Sequence, residues 1–501
     1  MIRETNTENG YVRGLQGTNA RISVFKGIPF AKAPVGDLRW RAPQPKENWE
    51  GVRNCFEFGP ISVQDTPGMG TDIYCREFHV DSQIAMNEDC LYLNVWTPAK
   101  STDERLPVLV WYFGGGFQWG YTAEMEFDGE HLAKKGIVVV SVNYRLGALG
   151  FLTHPELIEN QKEDPANFGL LDQKAGLEWV TRNIENFGGD SKNITIAGQS
   201  AGGASVLNQI VCPDNFDKIK GAIILSGVIR SPYSVDKFIT PGPASDMGKI
   251  GEKFFEFLGV KTLEEGRKLD AFEIRDKYAE FAKENPRFSV CVDNSFLSGD
   301  PYKLYLAGKH AHVPLMCGNT EDEFLSFISC ENEEELKKES ERIFGDYKEE
   351  FLNFKEAHEK LKNNEYAPVR GIECSIKAMY ERNIENGFKE NNYYYEFGVD
   401  IPGWDNPGTF HSVDLWFFFD NLDKCWRPFE GRHFDIARQM SNYWVNFIKN
   451  HDPNGEDLPG KDLLNWKPYP YGVKFTKDGP KEKEEDSDFI KFLSKQIKLK
   501  N

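Results

Sequence analysis

Residues 193–203, NITIAGQSAGG, constrain this chain more than any other stretch. The β-branched run Ile194-Thr195-Ile196 enters a turn centred on Ser200, with Gly198 two residues before it and Gly202 two after; a helix is expected over Gly203 to Val211. A strand that turns so tightly into a helix strains its central residue and leaves the neighbours no room for side chains. It also lifts the serine hydroxyl clear of the backbone and turns the next amide, that of Ala201, toward the same space. With 23 serines and 45 glycines in 501 residues, the bare G-x-S-x-G pattern arises by chance roughly 0.2 times per chain. Its meaning therefore depends on what surrounds it.

The surroundings read as alternating strands and helices. Strands are expected at 21–31, 91–98, 106–113, 136–145, 221–226, 312–318 and 391–400. The runs LPVLVWYF and GIVVVSVNYR are apolar almost throughout, as in strands buried on both faces. Leu170, Leu177, Val180 and Ile184 recur at helical spacing across 167–187, and Gly188-Gly189 stops that helix. Further helices are expected at 332–343, 347–362 and 432–449, and as a Lys/Glu-rich surface helix in the tail 480–501; 233–285 reads as charged and helical. This alternation predicts an α/β fold, a mostly parallel central sheet with helices on both faces. The candidate functional segments spread from 114 to 411 and must converge. We therefore read 1–501 as one domain, with 60–90 and 233–300 as insertions near the site.

Composition narrows the function. A net charge of −18 repels polyanions, which argues against nucleic acid and anionic membranes as partners. No apolar run is long enough to span a bilayer, and the N-terminus lacks the apolar core of a signal peptide; a cytoplasmic protein is the expectation. Nine cysteines scattered from Cys55 to Cys425 do not form a disulfide framework, and there is no C-x-x-C or H-E-x-x-H, so neither metal nor cofactor is expected.

A serine nucleophile needs a base, and the base needs an orienting acid, in the chain order serine, acid, histidine for this kind of turn. Four of the nine histidines lie beyond the 312–318 strand. His358 falls in an expected helix, His451 in a turn and His433 in or at a helix; His411 lies in the loop NPGTFHSVD after a strong strand and is the candidate base. The loop GNTEDEF offers Glu321, Asp322 and Glu323 as acid, and the residues alone do not choose among them. Ahead of the turn, WYFGGGFQWG places Gly114, Gly115 and Gly116 after a buried strand, where bare backbone can present amides to an oxyanion together with that of Ala201. No G-K-[S/T] follows, which disfavours a phosphate loop. Phe117 and Trp119, just past the glycines, are candidate pocket residues; Tyr121, Trp416 to Phe418 and Trp426 add to the aromatic crowd.

Together, GIPFAKAPVGDLRW, NEDCLYLNVW, WYFGGGF, VNYRLGALGF, NFGLLDQKAGLEWV, NIENFGGD, GQSAGG, ILSG and GTFHS closely resemble the type-B carboxylesterase family of α/β-hydrolases, over about 27–455. The resemblance implies an α/β-hydrolase fold and a serine carboxylic-ester hydrolase, with Ser200 as nucleophile, His411 as base and Glu323 as acid. It implies oxyanion donors at Gly115, Gly116 and Ala201, and structural ion pairs Arg39–Glu88 and Arg145–Asp172. Ser226 matches a second serine near the acid, and Cys90 a cysteine often bridged to one upstream, here Cys75. Three departures stand out. Phe324 replaces the glycine after the acid, and Gln199 replaces the usual glutamate before the nucleophile. The loop 76–87 also lacks the tryptophan that meets the substrate cation in cholinesterases. The last two argue against a quaternary ammonium substrate.

The expected substrate is thus a small to medium carboxylic ester, including aryl and bulky-alcohol esters, with feruloyl or acetyl groups on plant polysaccharide as the alternative. The competing class is a non-catalytic adhesion or binding protein of the same fold. A monomer or small homo-oligomer is expected.

Overall fold

The computed structural model describes residues 1–161, 164–233, 241–362 and 364–500. Its centre is an eleven-stranded sheet. In chain order the strands are β1 (Leu15–Gln16), β2 (Ser23–Pro29), β3 (Tyr92–Thr97), β4 (Leu106–Tyr112), β5 (Val138–Val142), β6 (Gly189–Gln199), β7 (Gly221–Leu225), β8 (Leu315–Thr320), β9 (Asn392–Gly398), β10 (Gly472–Thr476) and β11 (Gly479–Glu482). In space the order is β11-β10-β9-β8-β7-β6-β4-β5-β3-β2-β1. From β10 through β5 every neighbouring pair is parallel; the strands outside them join antiparallel. Every residue of β5, β7 and β8 is buried, as their apolar runs require of strands covered on both faces.

The register sets the site. Tyr112, Gly198, Ile224, Cys317 and Tyr394 lie side by side across five parallel strands. The loops that leave that edge carry Gly114–Gly116, Ser200, Ser226, Glu323 and His411. Carboxyl ends of parallel strands are where open α/β sheets bind ligands. The buried apolar residues form one principal cluster that runs from Ile2 to Ile497.

Two ion pairs brace the scaffold. Arg145 and Asp172 are both buried and meet through Nε–Oδ2 at 2.8 Å and Nη2–Oδ1 at 2.7 Å, and Asp172 also accepts from the Arg145 amide. Arg39 grips Glu88 with two bonds of 2.7 Å while its third nitrogen, Nη1, donates to the carbonyls of Gly266 and Leu269. That second arrangement fastens the 233–300 segment to the body of the protein.

The expected helix over 347–362 is absent. A short helix, Lys348–Leu352, gives way to a 3-10 turn, Lys355–His358, and then a strand, Lys360–Lys362. Phe351 and Phe354 both pack against Phe489 and Phe492 of the C-terminal helix Asp488–Lys500. That docking outweighs the local preference of a charged segment for helix. The strand pairs with Glu365–Arg370 in a three-stranded sheet completed by Leu325–Ser329. The tail is helical only from Asp488, and residues 479–482 form the edge strand β11. The helix after Ser200 begins two residues earlier than expected, as Ala201–Ile210. Residues 234–240 of the expected insertion and Asn501 of the expected tail helix lie outside the described residues.

All nine cysteines are free thiols, so the Cys75–Cys90 bridge that the resemblance suggests is not formed. Cys75 lies on a cavity wall in the helix Ile73–Glu77, whereas Cys90 is fully buried against the Arg145–Asp172 pair. No helix among the described residues is long and apolar enough to cross a membrane.

Candidate active site

Ser200 stands between β6 and the helix Ala201–Ile210 with φ 55° and ψ −122°, a conformation that side chains rarely adopt. Its amide donates to the Leu225 carbonyl at 2.9 Å, and its carbonyl accepts from Ala204 at 2.8 Å, so the strain is held from both sides. A Cβ on Gly202 would lie 2.1 Å from the Tyr112 carbonyl oxygen, and one on Gly198 would lie 2.3 Å from that of Gly202. Both positions therefore have to be glycine.

The glycine loop after β4 packs directly on this turn. A Cβ on Gly114 would meet the Gln199 carbonyl oxygen at 2.7 Å. Gly115 and Gly116 have φ of 104° and 62°. Their amides, and that of Ala201, have no acceptor among the described residues, and all three residues line one cavity with Ser200. The loop is held rigid from behind. Gln64 exchanges two hydrogen bonds with the backbone of Gly120, and Gln118 donates to the Phe288 carbonyl at 2.8 Å. Three unpaired amides beside a serine form a fixed positive cradle for a developing oxyanion.

His411 Nδ1 lies 2.8 Å from Glu323 Oε2, both side chains buried. Burial alone would raise Glu323, but the imidazole's charge and hydrogen bond outweigh it and hold the carboxyl below its ordinary range. The Ser226 hydroxyl adds a smaller pull in the same direction. For His411, burial lowers the pKa, and Glu323, with a smaller push from Asp414, more than reverses this, so it ends above its ordinary value. Asp414 is itself buried, accepts from the Tyr395 hydroxyl at 2.8 Å, and is lifted to about 7 by burial.

The structure separates the three acids of the GNTEDEF loop. Glu321 is at the surface with Lys474 at 2.8 Å. Asp322 accepts from the Thr409 amide and hydroxyl at 2.7 and 3.0 Å, tying the acid loop to the histidine loop. Only Glu323 reaches the imidazole.

On its other side, His411 Nε2 lies 3.2 Å from the Gln199 side-chain amide. With Nδ1–H donated to Glu323, Nε2 accepts there from Gln199. The Ser200 hydroxyl, next door in sequence, makes no hydrogen bond to His411 among the described residues. Such bonds are often loose before substrate binds.

The cavity holds about 940 Å³ and is bounded by Ser200, His411, Phe117, Trp119 and Gln199, and by residues of both 64–79 and 241–290. Phe117 leans on Phe151, and Trp119 is pinned by Asp65 at 3.1 Å with the Arg287 guanidinium over its ring. Trp416 to Phe418 are fully buried, away from the cavity, and pack beneath it; Trp416 stacks on Phe78. Two further groups touch His411. Tyr74 donates to the His411 carbonyl at 3.1 Å, and the Phe324 ring lies 4.6 Å from the His411 ring. The second was visible as a departure from the family pattern; the first had no local signal.

Residues 2–482 match the model of the carboxylesterase family. The chain is 31% identical over 480 residues to the para-nitrobenzyl esterase of Bacillus subtilis, covering 92% of each protein. It is 34% identical over 480 residues to the fumonisin B1 esterase of Sphingopyxis macrogoltabida, covering 90% of this chain and 82% of that one. A crystal structure of a Geobacillus stearothermophilus carboxylesterase matches 98% of this chain and 99% of its own at 27% identity, with a TM-score of 0.75. Strand order, strained serine and sequence agree: this chain belongs to the carboxylesterase family and has its α/β-hydrolase fold.

Proposed function

We propose that this esterase cleaves small to medium carboxylic esters, bulky and aryl ones included, through an acyl-enzyme on Ser200. His411 takes the hydroxyl proton as Ser200 attacks the carbonyl carbon. Glu323 holds the imidazole in the right tautomer and offsets its positive charge. The amides of Gly115, Gly116 and Ala201 bind the oxyanion, each contributing on the order of 3 kcal/mol to the transition state. The tetrahedral intermediate collapses, the C–O bond to the alcohol breaks, and His411 protonates the departing oxygen. Water then repeats the sequence on the acyl-enzyme, with His411 again as base. For the first attack, the Gln199 amide must yield Nε2 to the Ser200 hydroxyl.

The observation that carries this reading is that Ser200, His411 and three unpaired amides line one cavity, with Glu323 bonded to His411 behind the wall. Its volume, about 940 Å³, suits substrates larger than a simple acetate ester. Relatives named for para-nitrobenzyl and fumonisin B1 esters support a pocket open to bulky substrates.

Hydrolysis of a panel of p-nitrophenyl, naphthyl and hydroxycinnamoyl esters across pH tests it. Only neutral imidazole accepts a proton, so kcat/KM rises with pH through the His411 transition. Because Glu323 raises that group, the transition lies above the ordinary histidine value of about 6.5. In Gln199→Glu a carboxylate faces Nε2, and the transition moves higher still. A wild-type profile flat from pH 5 to about 9 with chemistry limiting, or a Gln199→Glu profile that does not move, would contradict His411 as the base.

A further inference from the structure

Met125 is exposed, while the glutamates on either side of it, Glu124 and Glu126, are buried and line the cavity that holds Ser200. Hydropathy asks for the reverse arrangement. The segment is fixed in this sense by Phe127, packed against Trp111 and Phe419, and by Asn421, whose side chain donates to the Glu126 carbonyl at 2.9 Å.

Glu126 is wholly inaccessible, and neither of its carboxylate oxygens has a hydrogen-bond partner. Glu124 accepts from the Tyr121 amide at 2.8 Å, and His79 Nδ1 lies 2.9 Å from the same oxygen. Among the described residues no lysine or arginine pairs with either carboxylate. Burial lifts Glu124 to about 7 and Glu126 well above its ordinary range, so without a cation beside it Glu126 holds its own proton; burial also lowers His79. Nothing in the ester chemistry uses these groups. Two buried carboxylates facing a ligand cavity without a cation are an incomplete site.

We propose that Glu124 and Glu126 form the recognition site for a primary or secondary ammonium group on the ester substrate. This rests on the ester-hydrolase reading and adds a substrate class to it. An ammonium with N–H donors takes the place of the Glu126 proton, which passes to solvent, and satisfies the unpartnered carboxylate oxygens. A quaternary ammonium has no donors to offer, loop 76–87 brings no tryptophan to the cavity, and the neighbour of Ser200 is the neutral Gln199. Phe78, Leu207, Val228 and Leu415 give the wall an apolar stretch that suits a hydrocarbon body, while Asp65, Asp72, Arg275 and Asp276 also line the cavity. The net charge of −18 draws cations toward the protein.

The test compares naphthyl and alkyl esters matched in shape, ending in an ammonium or in a methyl group on the acyl or the alcohol chain. In at least one pair the wild-type protein should favour the ammonium ester by about 10- to 100-fold in kcat/KM, expressed in KM, the range for a hydrogen bond to a charged group. Glu126→Gln and Glu124→Gln should each remove most of that preference, and a trimethylammonium analogue should not show it. A wild-type enzyme indifferent to the ammonium in both pairs, or a preference that survives both substitutions, overturns the proposal. Calorimetry on the wild-type protein decides it without variants or turnover: n-butylammonium should bind at least about tenfold more tightly than 1-pentanol, and equal affinity overturns the site. Hydrolysis of no ester in the panel would instead overturn the ester-hydrolase reading, and the calorimetry would still decide the amine site.

Discussion

Ser200→Ala is expected to lower kcat on p-nitrophenyl esters by about a millionfold, leaving at most a residual of roughly 10³–10⁴ over water from binding and oxyanion contacts. The size follows from the chemistry: without Oγ no acyl-enzyme forms, and the base and the amide cradle have only water to act with. The fold should not change. The strained turn is held by the Leu225 and Ala204 hydrogen bonds and by backbone packed against Gly198 and Gly202, and none of these involves the hydroxyl. Thermal unfolding of the variant should therefore match the wild type while steady-state turnover collapses. A variant retaining a tenth of the activity would remove Ser200 from the chemistry.

Glu323→Gln should cost about 10⁴-fold in kcat. The amide keeps the volume but no longer imposes the tautomer or offsets the imidazolium. A second effect separates this from mere misplacement: with the carboxylate gone, His411 loses most of what raises it, keeping only the smaller push of Asp414, and the pH transition drops while burial continues to push downward. Glu321→Gln serves as the control, because its partner Lys474 is at the surface, and kcat should stay within about twofold. Pre-steady-state rates across pH on both variants check the assignment. Equal losses in the two would mean that the loop, rather than the one carboxylate, is what matters.

Much of the fold was legible because its signals are local. Buried parallel strands are apolar residue after residue, as in Val138–Val142, and a tight serine turn forces glycines at fixed offsets. Edge strands such as Leu15–Gln16 and Gly479–Glu482 are short and mostly exposed, and their pairing is decided by distant partners. The break at 353–354 was hidden for the same reason: Phe351 and Phe354 answer to a helix more than a hundred residues away.

The site divides in the same way. Ser200 and the glycine loop carry the roles proposed for them in their own backbone. The proposed acid does not. Three adjacent carboxylates differ only in what the fold brings to them, Lys474, Thr409 and His411 in turn, and the last lies 88 residues on. The inward pair at 124 and 126 gave no warning at all, since a Glu-Met-Glu segment reads as a solvated loop until Trp111 and Phe419 fix Phe127.

The most direct test of the central claim is an intact-mass and peptide-mapping measurement on protein treated with an organophosphate ester. One phosphoryl group per chain is expected, on Ser200, with esterase activity lost in proportion to labelling. Activity that survives complete labelling, or a stoichiometric adduct on any other residue, would contradict the account.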